Sequence, residues 1–363
     1  MSSGDLNNIL TERGATWGRF AGISVVTHFG DPAREWRAAR EGCAAFPAGY
    51  RHWLAATGDD RVAFLQGLLS NDVKRLREGE GVYAASLTQT GKVVSDLRVY
   101  AEAERLLLDV LAWRADALRA HLERFLVADD VELGPCVDAQ PLLQLQGPFA
   151  GAVVGEALGL AVLPALPLAH IGLSFNGAAV RVVRVAEGGG EGLLLCGPAS
   201  EAGPLLDACR AAGAAAAGME ALNALRVEAG IAWAGLDMDE ETLLLESGCD
   251  AAASFSKGCY LGQEVVERIA ARGHVNRHLG GLLLEGDALP ERGAALMADG
   301  RDVGYVTSAV WSPLLRRGIA LAIIHRKHGI AGVRLQIGAD GESGIVTALP
   351  FDGALRQEED EQS

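Results

Sequence analysis

The hydrophobic and polar positions along the chain predict short strands that alternate with helices. In residues 51–57, Trp53, Ala55 and Thr57 lie at every second position, as on one face of a strand, and apolar residues at helical spacing follow from Val62 onward. Gly91 and Lys92 form the predicted turn of a hairpin whose second strand runs over residues 93–100. These patterns indicate helices packed against a sheet of hairpins.

A second stretch of the chain repeats this alternation. It predicts a helix over residues 149–158, strands over 179–186 and 192–196, and helices over 201–212 and 219–230. Strands joined by hairpins and covered by helices are typical of an α+β fold with largely antiparallel sheets. We therefore predict a fold of the α+β class.

Three other stretches depart from this pattern. Residues 1–30 are polar and irregular and predict an N-terminal extension or a first short helix. Residues 231–256 have no period, and such a segment in a compact protein is more often functional than idle. From residue 277 to 350, short β-rich pieces separated by Gly or Pro predict a small all-β barrel or sandwich. Residues 351–363 are too charged to pack and predict a disordered acidic tail.

Composition and charge limit the classes of function. The chain has 363 residues, 49% of them hydrophobic, which is enough for more than one core. Its formal net charge of −15 argues against a protein that mainly binds nucleic acid, because that affinity comes from Lys and Arg on phosphates. With no signal peptide or uncharged membrane-length segment in the sequence, we expect a cytoplasmic protein without membrane contact.

The cysteines and histidines predict no metal site. The six cysteines, at positions 43, 136, 196, 209, 249 and 259, form no C-x-x-C pair, which suits a reducing compartment. The histidine pairs at 274 and 278 and at 325 and 328 have helical spacing but no cysteine partners nearby. We expect most of the cysteines to be small core residues.

The segment Lys257–Glu264, KGCYLGQE, offers the clearest candidate chemistry. If Cys259 lies at the start of a helix, the helix dipole and the ammonium of Lys257 would lower its pKa and make it a reactive or ligand-donating thiolate. Alternatively, Cys259 is a buried small residue in a turn, and Gln263 and Glu264 only occupy the first helical turn. The residues alone leave both interpretations open.

This octapeptide matches the K-G-C-[FY]-x-G-Q-E signature of the YgfZ-type proteins at every fixed position. The resemblance extends from about residue 51 to 350 and includes patterns similar to the glycine-cleavage T protein and its relatives. Those patterns are the N-terminal motifs around residues 65–72 and 91–97, the R-x-E-x-G helix at 226–230, and the barrel opening at 303–308.

The resemblance implies a folate-binding core of two α/β layered subdomains, 31–147 and 148–276, around a central cavity, with a C-terminal β-barrel over 277–350. It implies a protein that binds tetrahydrofolate, or a one-carbon derivative, and assists iron–sulfur cluster assembly or repair in client enzymes, including tRNA-modifying ones. Folate and iron–sulfur client proteins would be its partners. The protein would be an accessory factor more than a classical aminomethyltransferase.

Departures from the T-protein pattern decide between the branches. Where aminomethyltransferases resemble each other in G-x-x-x-D-D-L, residues 91–97 carry Ser95 in place of one acid. The glycine- and glutamate-containing hairpin of the family is only loosely matched by residues 189–192, and a thiol at 259 is not typical of the T protein. Transfer of a one-carbon unit to tetrahydrofolate, by an aminomethyltransferase or demethylase, is therefore the alternative function.

Particular residues carry these roles, and each also has a structural explanation. Asp96 would accept hydrogen bonds from a pterin, or else pair with Arg98, while Tyr83 and Tyr100 would stack on the pterin or belong to the core. Arg226 would contact the ligand, or else form an exposed ion pair with Glu228. The resemblance thus assigns the cofactor to Asp96, Arg226, Tyr83, Tyr100, Glu228 and Gln263, and the chemistry to Cys259 and Lys257.

A basic cluster follows the octapeptide. It would hold the glutamate tail of folate or an acidic partner, or else it is a solvated helix end whose cations complement the helix dipole. Its members are Arg268, Arg272, His274, Arg277 and His278.

Overall fold

The computed structural model describes residues 3–186, 188–338 and 342–351, with side chains described from residue 7 onward. Of the predicted acidic tail, only Phe351 belongs to the described residues. Its ring is fully buried against Gly281 of the barrel, so position 351 is part of the fold and not of a tail. The rest of the predicted tail lies outside the described residues.

The helices and strands are numbered in chain order. The α-helices are α1 (Ser3–Thr11), α2 (Pro32–Glu41), α3 (Arg61–Leu68), α4 (Ala115–Glu123), α5 (Ala150–Leu158), α6 (Ala202–Ala211), α7 (Met219–Glu228) and α8 (Gln263–Arg272). The strands of the core are β1 (Thr16–Phe20), β2 (Ile23–His28), β3 (Ala44–Pro47), β4 (Arg51–Thr57), β5 (Gly81–Leu87), β6 (Val93–Ala101), β7 (Leu106–Leu111), β8 (Glu132–Pro135), β9 (Gln140–Gln146), β10 (His170–Phe175), β11 (Ala178–Val185), β12 (Gly192–Gly197) and β13 (Ala215–Ala216). The strands of the barrel are β14 (Arg277–Leu284), β15 (Ala295–Ala298), β16 (Arg301–Ser312), β17 (Arg317–His325), β18 (Arg334–Ile337) and β19 (Glu342–Thr347).

The first sheet is antiparallel, with strand order β5-β6-β7-β4-β8. Helices α3 and α4 cover one of its faces, where Leu97 and Val99 of β6 join a buried cluster with Leu65 and Leu118. Because successive strand residues point to opposite faces, Asp96 points away from the helices and into the centre of the molecule.

The second sheet combines distant parts of the chain. Its order is β10-β11-β12-β9-β3-β13, and helices α5 and α6 pack against it in one apolar cluster. Strands β3 and β9 come from the N-terminal side of the predicted boundary at residue 147, yet they pair with each other and, through β9, with β12. The two layers therefore do not divide at that point of the chain.

The first thirty residues are not an irregular extension: they contain the short helix that the sequence offered as the alternative, and a hairpin that was not predicted. Helix α1 is followed by the hairpin β1-β2, in which Val25 and Val26 are buried. The ring of Phe20 lies 5.7 Å from that of Trp113 and 6.1 Å from that of Trp233, which anchors the hairpin in the central core. Two strands this short, with apolar residues in tertiary contact only, give little periodic signal.

The C-terminal unit is a closed barrel with strand order β14-β17-β16-β15-β18-β19, which confirms the predicted α+β fold with a small β-barrel. Its interior holds an apolar cluster that includes Leu282 and Ile324. Helix α7 of the core packs against β16 and β17, so the barrel rests on this helix. In the ranges described above, no helix is long and apolar enough to cross a membrane.

Candidate functional site

A cavity of 740 Å³ lies between the two sheets. Several parts of the chain line it. They are Arg51 of β4, strands β5 and β6 at Tyr83, Asp96 and Arg98, residues 167–168, residues 184–186 and 189–191 at the ends of β11 and β12, the segment 229–233 after α7, and Gly248, Cys249 and Ala251. The cavity corresponds to the central cavity that the sequence resemblance predicts.

Asp96 is the carboxylate that faces this cavity. Its Oδ2 atom accepts a hydrogen bond of 3.0 Å from the hydroxyl of Tyr83, whereas its Oδ1 atom is buried and has no hydrogen-bond partner among the described residues. Burial raises the pKa of Asp96, although Arg51 and Arg98 act in the opposite direction. An unpaired buried carboxylate oxygen is costly to leave without a partner, so this atom is suited to accept a donor from a ligand.

Ser95 stands where the family has a further acid, and its side chain does not face the cavity. Ser95 is buried one residue before Asp96 and shares a strand face with Leu97, which belongs to the helix-covered cluster. An acid at this position would point into the apolar layer under the helices. The replacement therefore leaves the cavity's carboxylate, Asp96, in place.

Tyr100 belongs to the core, which was the alternative to stacking on a pterin. Its ring packs 5.4 Å from that of Trp53, and its hydroxyl donates a hydrogen bond of 3.2 Å to Asp109. Asp109 is fully buried and also accepts a hydrogen bond of 2.6 Å from Arg51, with Arg98 at 3.4 Å. This network supports the cavity from behind, and Tyr100 is not among the lining residues.

Arg226 does not line the cavity either, in contrast to the prediction of a ligand contact. Its guanidinium is fully buried and lies 2.5 Å from the carboxylate of Asp237. It also lies over the ring of Trp233, 4.7 Å from the ring centroid, and donates a 3.2 Å hydrogen bond to the carbonyl of Ile231. Since Trp233 and Ile231 line the cavity, Arg226 supports the cavity wall from the far side.

Glu228 connects the core to the barrel and is not paired with Arg226. Its carboxylate accepts hydrogen bonds from the indole of Trp36 at 2.9 Å, the hydroxyl of Ser312 at 2.6 Å and the backbone of Leu314 at 3.3 Å. Burial raises its pKa. The alternative of an exposed ion pair between Arg226 and Glu228 is wrong, because both side chains are buried and each bonds to other partners.

Among the lining residues that were not predicted from the sequence are Trp233 and Cys249. The indole N–H of Trp233 is buried without a hydrogen-bond partner among the described residues, and Trp233 lines the cavity. Cys249 also lines it, and burial raises the pKa of its thiol to about 12. Both residues lie within 231–256, so the loss of periodicity in this segment was the sequence signal that could have pointed to them.

The octapeptide packs against the end of α3 and the turn between β5 and β6, and it lies outside the cavity lining. Helix α8 begins at Gln263 after Gly262, so Cys259 precedes the helix and does not occupy its N-terminus as predicted. Gly262 has a φ of +84°, and a Cβ atom there would lie 2.5 Å from the carbonyl oxygen of Thr88. The thiol of Cys259 is exposed, and the other cysteines of the chain are buried.

Lys257 and Gln263 hold this segment in place. The ammonium of Lys257 donates hydrogen bonds to the carbonyls of Gln66 at 2.6 Å, in the last turn of α3, and of Leu69 at 2.5 Å and Asn71 at 3.1 Å, just beyond it. Burial lowers its pKa to about 8. The side chain of Gln263 accepts a 3.2 Å hydrogen bond from the backbone of Tyr260. Neither residue lines the cavity.

The basic cluster in and after α8 lies apart from the cavity lining. Arg268 pairs with Glu264, and Arg277 lies 3.2 Å from Glu246. At the cavity itself, the lining cation outside the Asp109 network is Arg184, whose Nη1 atom lies 3.4 Å from Glu191. Over the described ranges, no three His, Cys, Asp or Glu side chains come together as a metal site requires.

Comparisons with known proteins match the chain over nearly its whole length. The family described as GCVT N-terminal domain matches residues 6–257, and the family described as Glycine cleavage T-protein C-terminal barrel domain matches residues 277–351. An aminomethyltransferase of Rubrobacter xylanophilus is 33% identical over 84% of this chain and 82% of its own length. One from Synechococcus sp. is 30% identical over 95% of this chain and 97% of its own length.

The same fold has been solved for a relative. The crystal structure of glycine cleavage system aminomethyltransferase T from Bartonella henselae superposes with a TM-score of 0.85 and 22% identity, covering 95% of this chain and 96% of that one. At this identity the similarity establishes the shared fold of core and barrel.

Proposed function

The chain belongs to the glycine cleavage T-protein family, and on that premise we propose that it binds tetrahydrofolate, or a one-carbon derivative, in the central cavity and transfers a one-carbon unit from an amine to that folate. The observation that carries the proposal is Asp96, whose carboxylate faces the cavity with an unpaired oxygen. The similarity to relatives named aminomethyltransferase supports the same activity.

The residues around the cavity fit a reduced pterin. A pterin edge carries N–H donors beside a carbonyl acceptor, and the wall offers an unpaired acceptor at Asp96 and an unpaired indole donor at Trp233. The remaining wall includes apolar residues such as Leu168 and Ile231, which suit a planar ring. A volume of 740 Å³ falls within the range of roughly 300–1,000 Å³ that small-molecule sites occupy.

The chain's own groups can orient the ligand and move a proton. Tetrahydrofolate, when bound, would supply the secondary amine nitrogens that take up a one-carbon unit. Tyr83 holds Oδ2 of Asp96, which leaves Oδ1 in a fixed orientation to accept an N–H group. Because burial raises the pKa of Asp96, this carboxyl keeps a proton to a higher pH than an exposed aspartate does, and can act as an acid and then a base.

Binding is tested by calorimetry with tetrahydrofolate on the wild type and on Asp96→Asn. The substitution keeps the shape of the side chain but removes the charged acceptor, so we expect the Kd to rise about tenfold or more, the equivalent of one charge-assisted hydrogen bond. Asp207→Asn is the matched control, since Asp207 pairs with Arg13 at the surface. Equal affinities for wild type and Asp96→Asn would remove Asp96 from the site.

Transfer is tested by turnover. The wild type is incubated with tetrahydrofolate and either a methylated amine or a lipoyl-bound aminomethyl group, and methylene- or methyl-tetrahydrofolate is measured. We expect product with the wild type and a loss of product with Asp96→Asn. Binding of tetrahydrofolate without turnover of either class of amine would contradict the transferase assignment.

A second candidate function is assistance to iron–sulfur client proteins, and the exposed thiol of Cys259 favours it. This cysteine lies in the octapeptide that matches the YgfZ-type signature, and the other cysteines of the chain are buried. In cells that lack the protein, iron–sulfur client activity should return with the wild type and fail with Cys259→Ala. Full rescue by Cys259→Ala would exclude a role for this thiol.

A further inference from the structure

The segment 229–233 separates the cavity from the barrel. Its residues line the cavity on one side, and on the other side Gly230 meets the barrel so closely that a Cβ atom there would lie 2.9 Å from Leu349. The φ of Gly230 is +70°, which also favours glycine. This wall is therefore in contact with both parts of the molecule.

Two side chains behind the wall hold its backbone. Arg226 donates a 3.2 Å hydrogen bond to the carbonyl of Ile231, and Asp237 accepts one of 3.0 Å from the backbone N–H of Trp233. The guanidinium also lies against the ring of Trp233. The buried ion pair of Arg226 and Asp237 thus holds the wall at both Ile231 and Trp233.

The barrel in turn fixes that ion pair through two neighbouring hydroxyls. Thr307 and Ser308 of β16 donate hydrogen bonds of 2.7 Å and 2.6 Å to Oδ1 of Asp237, and Arg226 donates one of 2.7 Å to Ser308. Consecutive strand residues normally point to opposite faces, but the register of β16 shifts between Val306 and Ser308. Such a bulge redirects a side chain, and here it brings both hydroxyls to the same carboxylate.

We propose that Thr307 and Ser308 are positioning residues for the folate site. They hold Asp237 and Arg226, and this ion pair in turn holds the cavity wall at Ile231 and Trp233. The inference rests on the proposed binding of folate in the cavity. It assigns to the barrel a part in shaping the pterin wall, in addition to covering the core.

The experiment measures the Kd for tetrahydrofolate by calorimetry with wild type, Ser308→Ala and Ser312→Ala in the full chain. Ser312 is a matched control, because its hydroxyl also donates a hydrogen bond of 2.6 Å to a buried core carboxylate, that of Glu228, but does not reach the wall. We expect Ser308→Ala to raise the Kd by up to about tenfold, since a misplaced wall loses part of the ligand's contacts, while Ser312→Ala stays close to wild type. Ser308→Thr, which restores a hydroxyl, should recover the affinity.

The outcomes separate this inference from the function on which it rests. If the wild type binds tetrahydrofolate and Ser308→Ala binds it equally well, or no worse than Ser312→Ala, the positioning role is refuted and the folate site stands. If the wild type does not bind tetrahydrofolate, both fail. If Ser308→Ala does not fold, Thr307→Val serves as the test instead, because it removes the other hydroxyl and keeps the shape of the side chain. It should raise the Kd in the same way, and an unchanged Kd would refute the positioning role.

Discussion

Replacing either of two buried aspartates with asparagine should change the stability of the ligand-free protein in opposite directions. Asp109 has its carboxylate in contact with Arg51, Arg98 and Tyr100, whereas one oxygen of Asp96 has no partner among the described residues. Both side chains lie on the same sheet and the substitution is the same. The difference therefore isolates the effect of partners on a buried carboxylate.

The expected magnitudes follow from these contacts. Asp109→Asn removes the anion of the buried ion pair between Arg51 and Asp109, and removing one member of a buried pair costs about 3–5 kcal/mol. In Asp96→Asn a desolvated charge is replaced by a neutral amide that still accepts from Tyr83. We expect the free energy of unfolding to rise by about 1 kcal/mol, because an unpaired buried group costs about 1–3 kcal/mol and the amide retains part of that cost.

The pH dependence provides a second signature. Burial raises the pKa of Asp96 in the folded state above its ordinary value, so its contribution to stability is full below the ordinary pKa and is lost as the pH rises through the folded pKa. The gain from Asp96→Asn should therefore be largest near neutral pH. It should shrink as the pH falls toward about 4, the usual pKa of an aspartate.

The assay is guanidinium unfolding without folate, followed by tryptophan fluorescence and circular dichroism at pH 7 and pH 5. Midpoints are compared at equal slopes, so that a shift reports stability and not a change in the surface exposed on unfolding. A loss of stability in Asp96→Asn, or an unchanged midpoint in Asp109→Asn, would refute the reasoning about unpaired and paired carboxylates.

Three further predictions concern the wall, the thiols and the octapeptide. Asp237→Asn should lower the free energy of unfolding by about 3–5 kcal/mol in guanidinium titrations, while Asp207→Asn, at an exposed ion pair, should change it by less than about 1 kcal/mol. Iodoacetamide should label Cys259 rapidly in the native protein and should label Cys249 only after unfolding, as measured by mass spectrometry. If tetrahydrofolate protects Cys259 from labelling, the thiol lies at the cavity and this prediction is wrong. Lys257→Met should speed hydrogen exchange in residues 66–72, because the carbonyls of Gln66, Leu69 and Asn71 lose their donor. Unchanged exchange would contradict the idea that Lys257 supports this segment.

The sequence predicted those parts of the fold that depend on local pattern. Strand β4 follows the predicted bounds of residues 51–57, and the hairpin at Gly91 joins β5 to β6 as expected. The barrel was also predicted, because short strands between glycines are a local signal. The assignment of Asp96 to the ligand came from the resemblance to the T-protein pattern, and Asp96 lines the cavity.

The rest depended on partners far apart in the chain. Nothing near Arg226 indicates that it lies beside Ser308, 82 residues later, or that Glu228 meets the hydroxyl of Ser312, 84 residues later. The same holds for β3 and β9, which join the second sheet across a long interval. Local spacing placed Cys259 at a helix start, but the positive φ of Gly262 delays the helix to residue 263.

The contrast among buried carboxylates indicates where function shapes this fold. Asp109, Asp237 and Glu228 are each held by several donors and sit where sheets, wall and barrel meet, so their burial is compensated and they fix the architecture. Asp96 is not compensated in this way, and stability alone would favour an amide or an apolar residue at its position. A group that costs stability persists where activity requires it, and the partner that Asp96 lacks is the one that a ligand in the cavity would supply. The paired carboxylates thus build the site, and the unpaired one marks the point in it where a ligand is expected to bind.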